Sequence, residues 1–98
     1  MLKQKMDNGD TFTLIDVREE HEFDVCNIEG ATLIPLGKFH DEIGNLNKSH
    51  QYVIHCRSGK RSAKACELML EEGFSDVFNL AGGILEWAQE IDPSMTPD

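Results

Sequence analysis

The chain predicts an α/β fold in three layers, a mostly parallel central sheet of about four to five strands with helices on both faces. Three observations lead there. Short apolar runs alternate along the chain with longer segments of helical periodicity. The runs at 13–17 and 52–55 are nearly continuous in apolar character, as expected for parallel strands covered on both faces. The second of these stops abruptly at Cys56, and a short polar loop and a helix-forming segment follow. In an α/β sheet that order puts the loop at the carboxyl edge, where ligands bind. Crossovers between the strands should be right-handed.

Taken in order, residues 2–6 read as the end of a helix closed by a turn at 7–10. Residues 13–17 form the first buried strand, with Asp16 at its end. Residues 19–25 form a short helix whose early acids suit the helix dipole. Residues 31–34 make the next strand, stopped by Pro35. Leu36, Phe39, Ile43 and Leu46 recur at helical spacing over 36–46, with Gly44 near the end. Residues 47–50 are a polar loop, and 52–55 lead to Cys56. The helix from Ser62 onward should bury Ala65, Cys66, Met69 and Leu70, which makes Cys66 a core residue. Gly73 suits a left-handed cap, with Phe74 covering the helix end. Residues 77–80 form the fourth strand, and Gly82-Gly83 permits a close backbone approach to a neighbour such as the Cys56 loop. Ile84, Trp87, Ala88 and Ile91 are the apolar stripe of a last helix, ended by Asp92-Pro93.

Ninety-eight residues suit a single domain over 1–98 with one core. The net charge of −9 argues against nucleic acid as a partner. No run of eighteen apolar residues suggests a membrane span, and the first residues lack the apolar segment of a signal peptide. Three cysteines are an odd number without metal-ligand spacing, and free thiols suit a reducing compartment such as the cytoplasm. His21, His40 and His50 read as surface residues with no paired spacing for a metal.

Charge is unevenly placed. Arg57, Lys60, Arg61 and Lys64 are four of the nine cationic residues, within eight positions of an otherwise acidic chain. Such a pocket focuses small anions. Cations at a helix start are unfavourable unless an anion joins them. Loop N–H groups and the helix N-terminus can form an anion nest. A thiol there ionises readily, so Cys56 is the candidate nucleophile. His55 is adjacent in sequence, but successive strand side chains point to opposite faces, which aims it away.

Cys56-Arg57-Ser58-Gly59-Lys60-Arg61-Ser62 resembles the active-site loop of the rhodanese family of sulfurtransferases. Asp16-Val17-Arg18-Glu19, with Glu22 and Phe23 behind it, is similar to that family's early motif. Ile28-Glu29-Gly30-Ala31 with Ile34-Pro35 resembles the segment that follows, and Leu80-Ala81-Gly82-Gly83-Ile84-Leu85-Glu86-Trp87 its closing motif. The likeness runs from about Leu14 to Trp87. It implies a rhodanese-like fold, here without the family's first edge strand. Cys26-Asn27 stands where the family usually has Gly-His, so Cys26 is either a small residue filling a bend or a resolving thiol for Cys56.

The resemblance implies that Cys56 takes sulfane sulfur from an anionic donor such as thiosulfate, as a persulfide, and yields it to a thiol or cyanide. The charged loop favours thiosulfate over 3-mercaptopyruvate. No metal or organic cofactor is needed. Arg57 and Arg61 offer forked pairs of donors to an oxyanion, and Lys60 a point charge. Ser58 and Ser62 offer hydroxyls, and Gly59 backbone. Asp16 and Arg18 are supporting residues, Asp16 either bonding loop backbone or Arg18, or acting in catalysis. The end of the chain resembles rhodanese domains fused behind adenylating enzymes that feed sulfur-carrier proteins, so a protein acceptor is an alternative. Cysteine phosphatases and arsenate reductases are the rival class. They usually place five residues between cysteine and arginine, whereas four separate Cys56 from Arg61.

Overall fold

The structure, a computed structural model, describes residues 12–80 and 82–91. The expected first helix and turn, the missing edge strand, the Asp92-Pro93 stop and the tail lie outside the described residues. Four strands form one sheet in the order β2-β1-β3-β4, all pairs parallel. They are β1 (Thr13–Asp16), β2 (Thr32–Leu33), β3 (Tyr52–His55) and β4 (Val77–Asn79). The two inner strands carry the continuous apolar runs, and every residue of β3 is buried. The two edge strands are short and partly exposed, which limits the open backbone they offer to another chain.

Strand periodicity sorts the core onto two faces. Ile15, Val17, Ile54 and Cys56 point one way, into a cluster with Phe39, Ile43, Ala65 and Met69. Those partners come from α2 (Leu36–Glu42), the 3-10 turn Ile43–Asn45 and α3 (Lys60–Glu71). Leu14 and Val53 point the other way, against Ile28 and against Ile84 and Trp87 of α4 (Gly83–Glu90). Helices therefore cover both faces, giving the expected three layers. The remaining helix, α1 (Glu20–Val25), follows β1 at the carboxyl edge.

Several boundaries differ from expectation for identifiable reasons. The helix expected over 36–46 tightens into the 3-10 turn at Ile43, where Gly44 contributes no side chain. Helix α3 starts at Lys60, two residues before Ser62, because Gly59 adopts φ 105° and turns the chain directly into it. Leu70 is 56% exposed rather than buried. The buried stripe of α3 is narrow, Ser62, Ala65 and Met69. At 3.6 residues per turn, Leu70 falls about 100° from its centre, and Cys66, nearer to it, is half-buried. Ile91 is 42% exposed because it lies past the last residue of α4, where the apolar stripe has run out. Gly73 has φ 98°, and the Phe74 N–H closes the end of α3 by donating to the Met69 carbonyl at 3.0 Å.

Candidate active site

Cys56 sits where β3 leaves the sheet, and its thiol is almost wholly buried. The Gly59 N–H donates to Sγ at 3.1 Å, and the Ser62 hydroxyl lies 3.4 Å from it. Burial alone pushes the thiol pKa up. Hydrogen bonds from the Ser62 hydroxyl and from the Ser62, Gly59 and Ser58 amides outweigh it, so the net shift is downward. The thiolate is thus held by backbone dipoles at the start of α3, an anion nest centred on sulfur.

Two further residues order that nest. The Ser62 hydroxyl also faces Oδ1 of Asn79, at 2.5 Å, and Asn79 Nδ2 donates to the Gly59 carbonyl at 3.4 Å. One hydroxyl hydrogen cannot serve both Asn79 and Sγ. With a thiol, Cys56 donates to Ser62 and Ser62 to Asn79. With a thiolate, the hydroxyl turns to sulfur. On the other side, Ile84 N–H donates to the Cys56 carbonyl at 2.9 Å and Leu85 N–H to the Arg57 carbonyl at 3.2 Å. The first turn of α4 therefore draws the loop carbonyls outward, which leaves the loop amides facing sulfur. Gly83, at φ 60°, makes that approach possible, since a Cβ there would overlap both carbonyl groups. The close approach expected of Gly82-Gly83 is to the Cys56 loop.

The cations divide. Arg57 on the loop and Lys60 at the first position of α3 are both exposed. Arg61 turns its fork to Glu22 of α1, with Nη1 donating to Oε1 at 2.6 Å and Nη2 to Oε2 at 2.9 Å. The Arg61 bond holds the Glu22 carboxyl at about 2, well below the usual carboxylate range. Ser58 is exposed, and Gly59 and Ser62 are buried.

Asp16 and Arg18 are both buried and bonded to each other. Arg18 Nε donates to both Asp16 oxygens at 3.0 Å, Nη2 to Oδ2 at 2.7 Å, and the Arg18 N–H to Oδ1 at 2.9 Å. Nη2 also donates to the Cys26 carbonyl at 2.7 Å, which pins the start of the segment after α1. The pair braces the end of β1 from the opposite sheet face to Cys56.

His55 shares that face, beside its register partner Asp16. Its Nε2 is 3.7 Å from Asp16 Oδ2, and neither ring nitrogen has a hydrogen-bond partner among the described residues. Burial lowers the His55 pKa against the opposing pull of Asp16. The folded state therefore binds a proton less readily than the unfolded state, and stability is lost as pH falls below the unfolded value of about 6.5. Unfolding free energies from urea titrations between pH 7.5 and pH 5.5 should fall more steeply in the native protein than in His55→Leu, the difference reaching at most about 1.4 kcal/mol per pH unit. Equal slopes would show that His55 carries no such linkage.

Among the described residues, no group of histidine, cysteine and acidic side chains is placed to hold a metal ion. No helix among them is long and apolar enough to cross a membrane. Glu22, Asn79 and the α4 amides are the site residues that the sequence did not reveal as such.

Sheet, nest and bracing pair together define a rhodanese-like domain with its cysteine cradled. The chain belongs to the Rhodanese-like domain family, whose profile it matches over residues 1–90. It is 38% identical over 96 residues to the "Probable adenylyltransferase/sulfurtransferase MoeZ" of Mycobacterium tuberculosis, covering 96% of this chain and 24% of MoeZ. The chain thus spans about a quarter of that relative's length. It is 32% identical over 97 residues to a "Sulfurtransferase" of Allochromatium vinosum, covering 99% of this chain and 91% of the relative. Among solved structures, the rhodanese-like domain protein of Staphylococcus aureus superposes with a TM-score of 0.83 at 34% identity, covering 92% of this chain and 87% of that one.

Proposed function

We propose that this chain is a sulfurtransferase that carries sulfane sulfur on Cys56 between a small anionic donor such as thiosulfate and a thiol or cyanide acceptor. The observation that carries it is the ring of amides and the Ser62 hydroxyl on Sγ, which favours a thiolate inside an acidic protein. The Cys56 thiolate attacks the outer sulfur of thiosulfate. The sulfur–sulfur bond of the donor breaks, and sulfite leaves with its electron pair. The product is a Cys56 persulfide anion, whose outer sulfur stays close to the same donors. An acceptor thiolate or cyanide then attacks the outer sulfur and releases Cys56 as thiolate. The two half-reactions share one covalent intermediate.

Relatives that join this domain to an adenylyltransferase support a second form of the same reading, in which the acceptor is a partner protein such as a sulfur carrier. Free thiols suit the cytoplasm as the place of action.

Initial rates with varied thiosulfate and cyanide test the reading. Parallel double-reciprocal lines are expected, with no hydrolysis of an aryl phosphate. A phosphoryl group would need a wider ring than four residues between Cys56 and Arg61 provide. Phosphatase turnover with sulfur transfer at background would replace this assignment.

A further inference from the structure

Glu22 and Arg61 stand 39 positions apart in the chain, on α1 and in the first turn of α3. Both ends of the Arg61 fork are taken by the Glu22 carboxylate. Glu22 Oε1 also accepts the Glu19 N–H at 2.9 Å, so the carboxylate is fixed from two sides. Its side chain is 11% exposed, and that of Arg61 33%. A fully exposed ion pair at this spacing would be worth little, but a bidentate, part-buried pair is persistent. The pair adjoins Ser62, whose hydroxyl touches Sγ, and the Cys56 thiolate acts electrostatically on Arg61. A guanidinium in that place, if unpaired, would be the natural clamp for an incoming oxyanion. Here its fork is filled and its charge is offset.

We propose that Glu22 is a positioning residue that limits how strongly the Cys56 nest favours negatively charged reagents, by holding Arg61 as a neutral bidentate pair. As a statement about sulfur donors, it rests on the sulfur-transfer reading above and makes Glu22 a brake on affinity for dianions. As a statement about the thiolate, it is measurable without turnover.

The rates at which iodoacetate and iodoacetamide alkylate Cys56, followed on the Cys56 peptide, supply the measurement. Both form the same carbon–sulfur bond and release iodide, but only iodoacetate is an anion. Their rate ratio reads the local field, while a loss of nest order changes both rates together. Glu22→Gln keeps the shape and removes the negative charge, and should raise the ratio by about three- to tenfold. Arg61→Gln leaves Glu22 unopposed and should lower it below the native value. The double variant, neutral again, should return close to native. If Glu22→Gln does not fold, Arg61→Gln and the double variant still fix the sign. A ratio that fails to move, or that moves in one direction for both single variants, overturns the proposal. In turnover, Glu22→Gln should lower the KM for thiosulfate by a similar factor with a smaller change in kcat. A chain that never uses thiosulfate would refute the donor reading, and the alkylation ratio would still decide the role of Glu22.

Discussion

Cys56→Ser should lower thiosulfate:cyanide sulfur transfer by at least about 1,000-fold, to background, with the fold intact. Serine fits the space, and its hydroxyl can accept the Gly59 N–H that now meets Sγ. It cannot form a persulfide. Neither other thiol is placed to substitute. The Cys66 thiol is pushed up to about 11 by burial on α3, so it is protonated at neutral pH and poorly nucleophilic. Cys26 packs against the cluster of Leu14, Ile28 and Val53, on the sheet face opposite to Cys56. Cys66→Ala and Cys26→Ala should therefore keep most of the activity. A large loss in Cys26→Ala with the fold preserved would instead make Cys26 a resolving thiol.

Gly83→Ala is expected to be the most damaging substitution away from the thiol. Gly83 combines φ 60° with direct contact against backbone that cannot swing aside. A methyl group there must displace the Cys56 and Arg57 carbonyls, and with them the bonds from Ile84 and Leu85 that turn the loop amides toward sulfur. Left-handed strain and overpacking together should cost about 3 kcal/mol. In a domain of this size that lowers Tm by more than about 10 °C. Because the nest moves with those carbonyls, sulfur transfer measured well below the new Tm should also fall by about 10²-fold. Gly37→Ala on α2 is the control, since Gly37 is not in the left-handed region and a Cβ there meets no atom within 4 Å. Native-like activity in Gly83→Ala would mean that the first turn of α4 does not set the loop.

Cys56 and its loop were legible because the chemistry lies in seven consecutive residues between a buried strand and a helix. The two inner strands were legible because burial on both faces writes itself as unbroken apolar runs. Leu70 misled because it stands four residues after Cys66 and so satisfies the spacing rule, yet it points about 100° away from the buried stripe. The role of Glu22 was hidden for another reason. Its bond to Arg61 joins two elements through the crossover geometry, and neither residue's neighbours in sequence signal it. Asn79 likewise looks like the last residue of an edge strand until the fold brings it to Ser62.

Intact mass after incubation with thiosulfate and removal of the excess tests the central claim most directly. The native chain should gain the mass of one sulfur atom, lose it on addition of cyanide, and show no gain as Cys56→Ser. A native chain that gains nothing, or a gain that persists in Cys56→Ser, would contradict the assignment of Cys56 as the sulfur carrier.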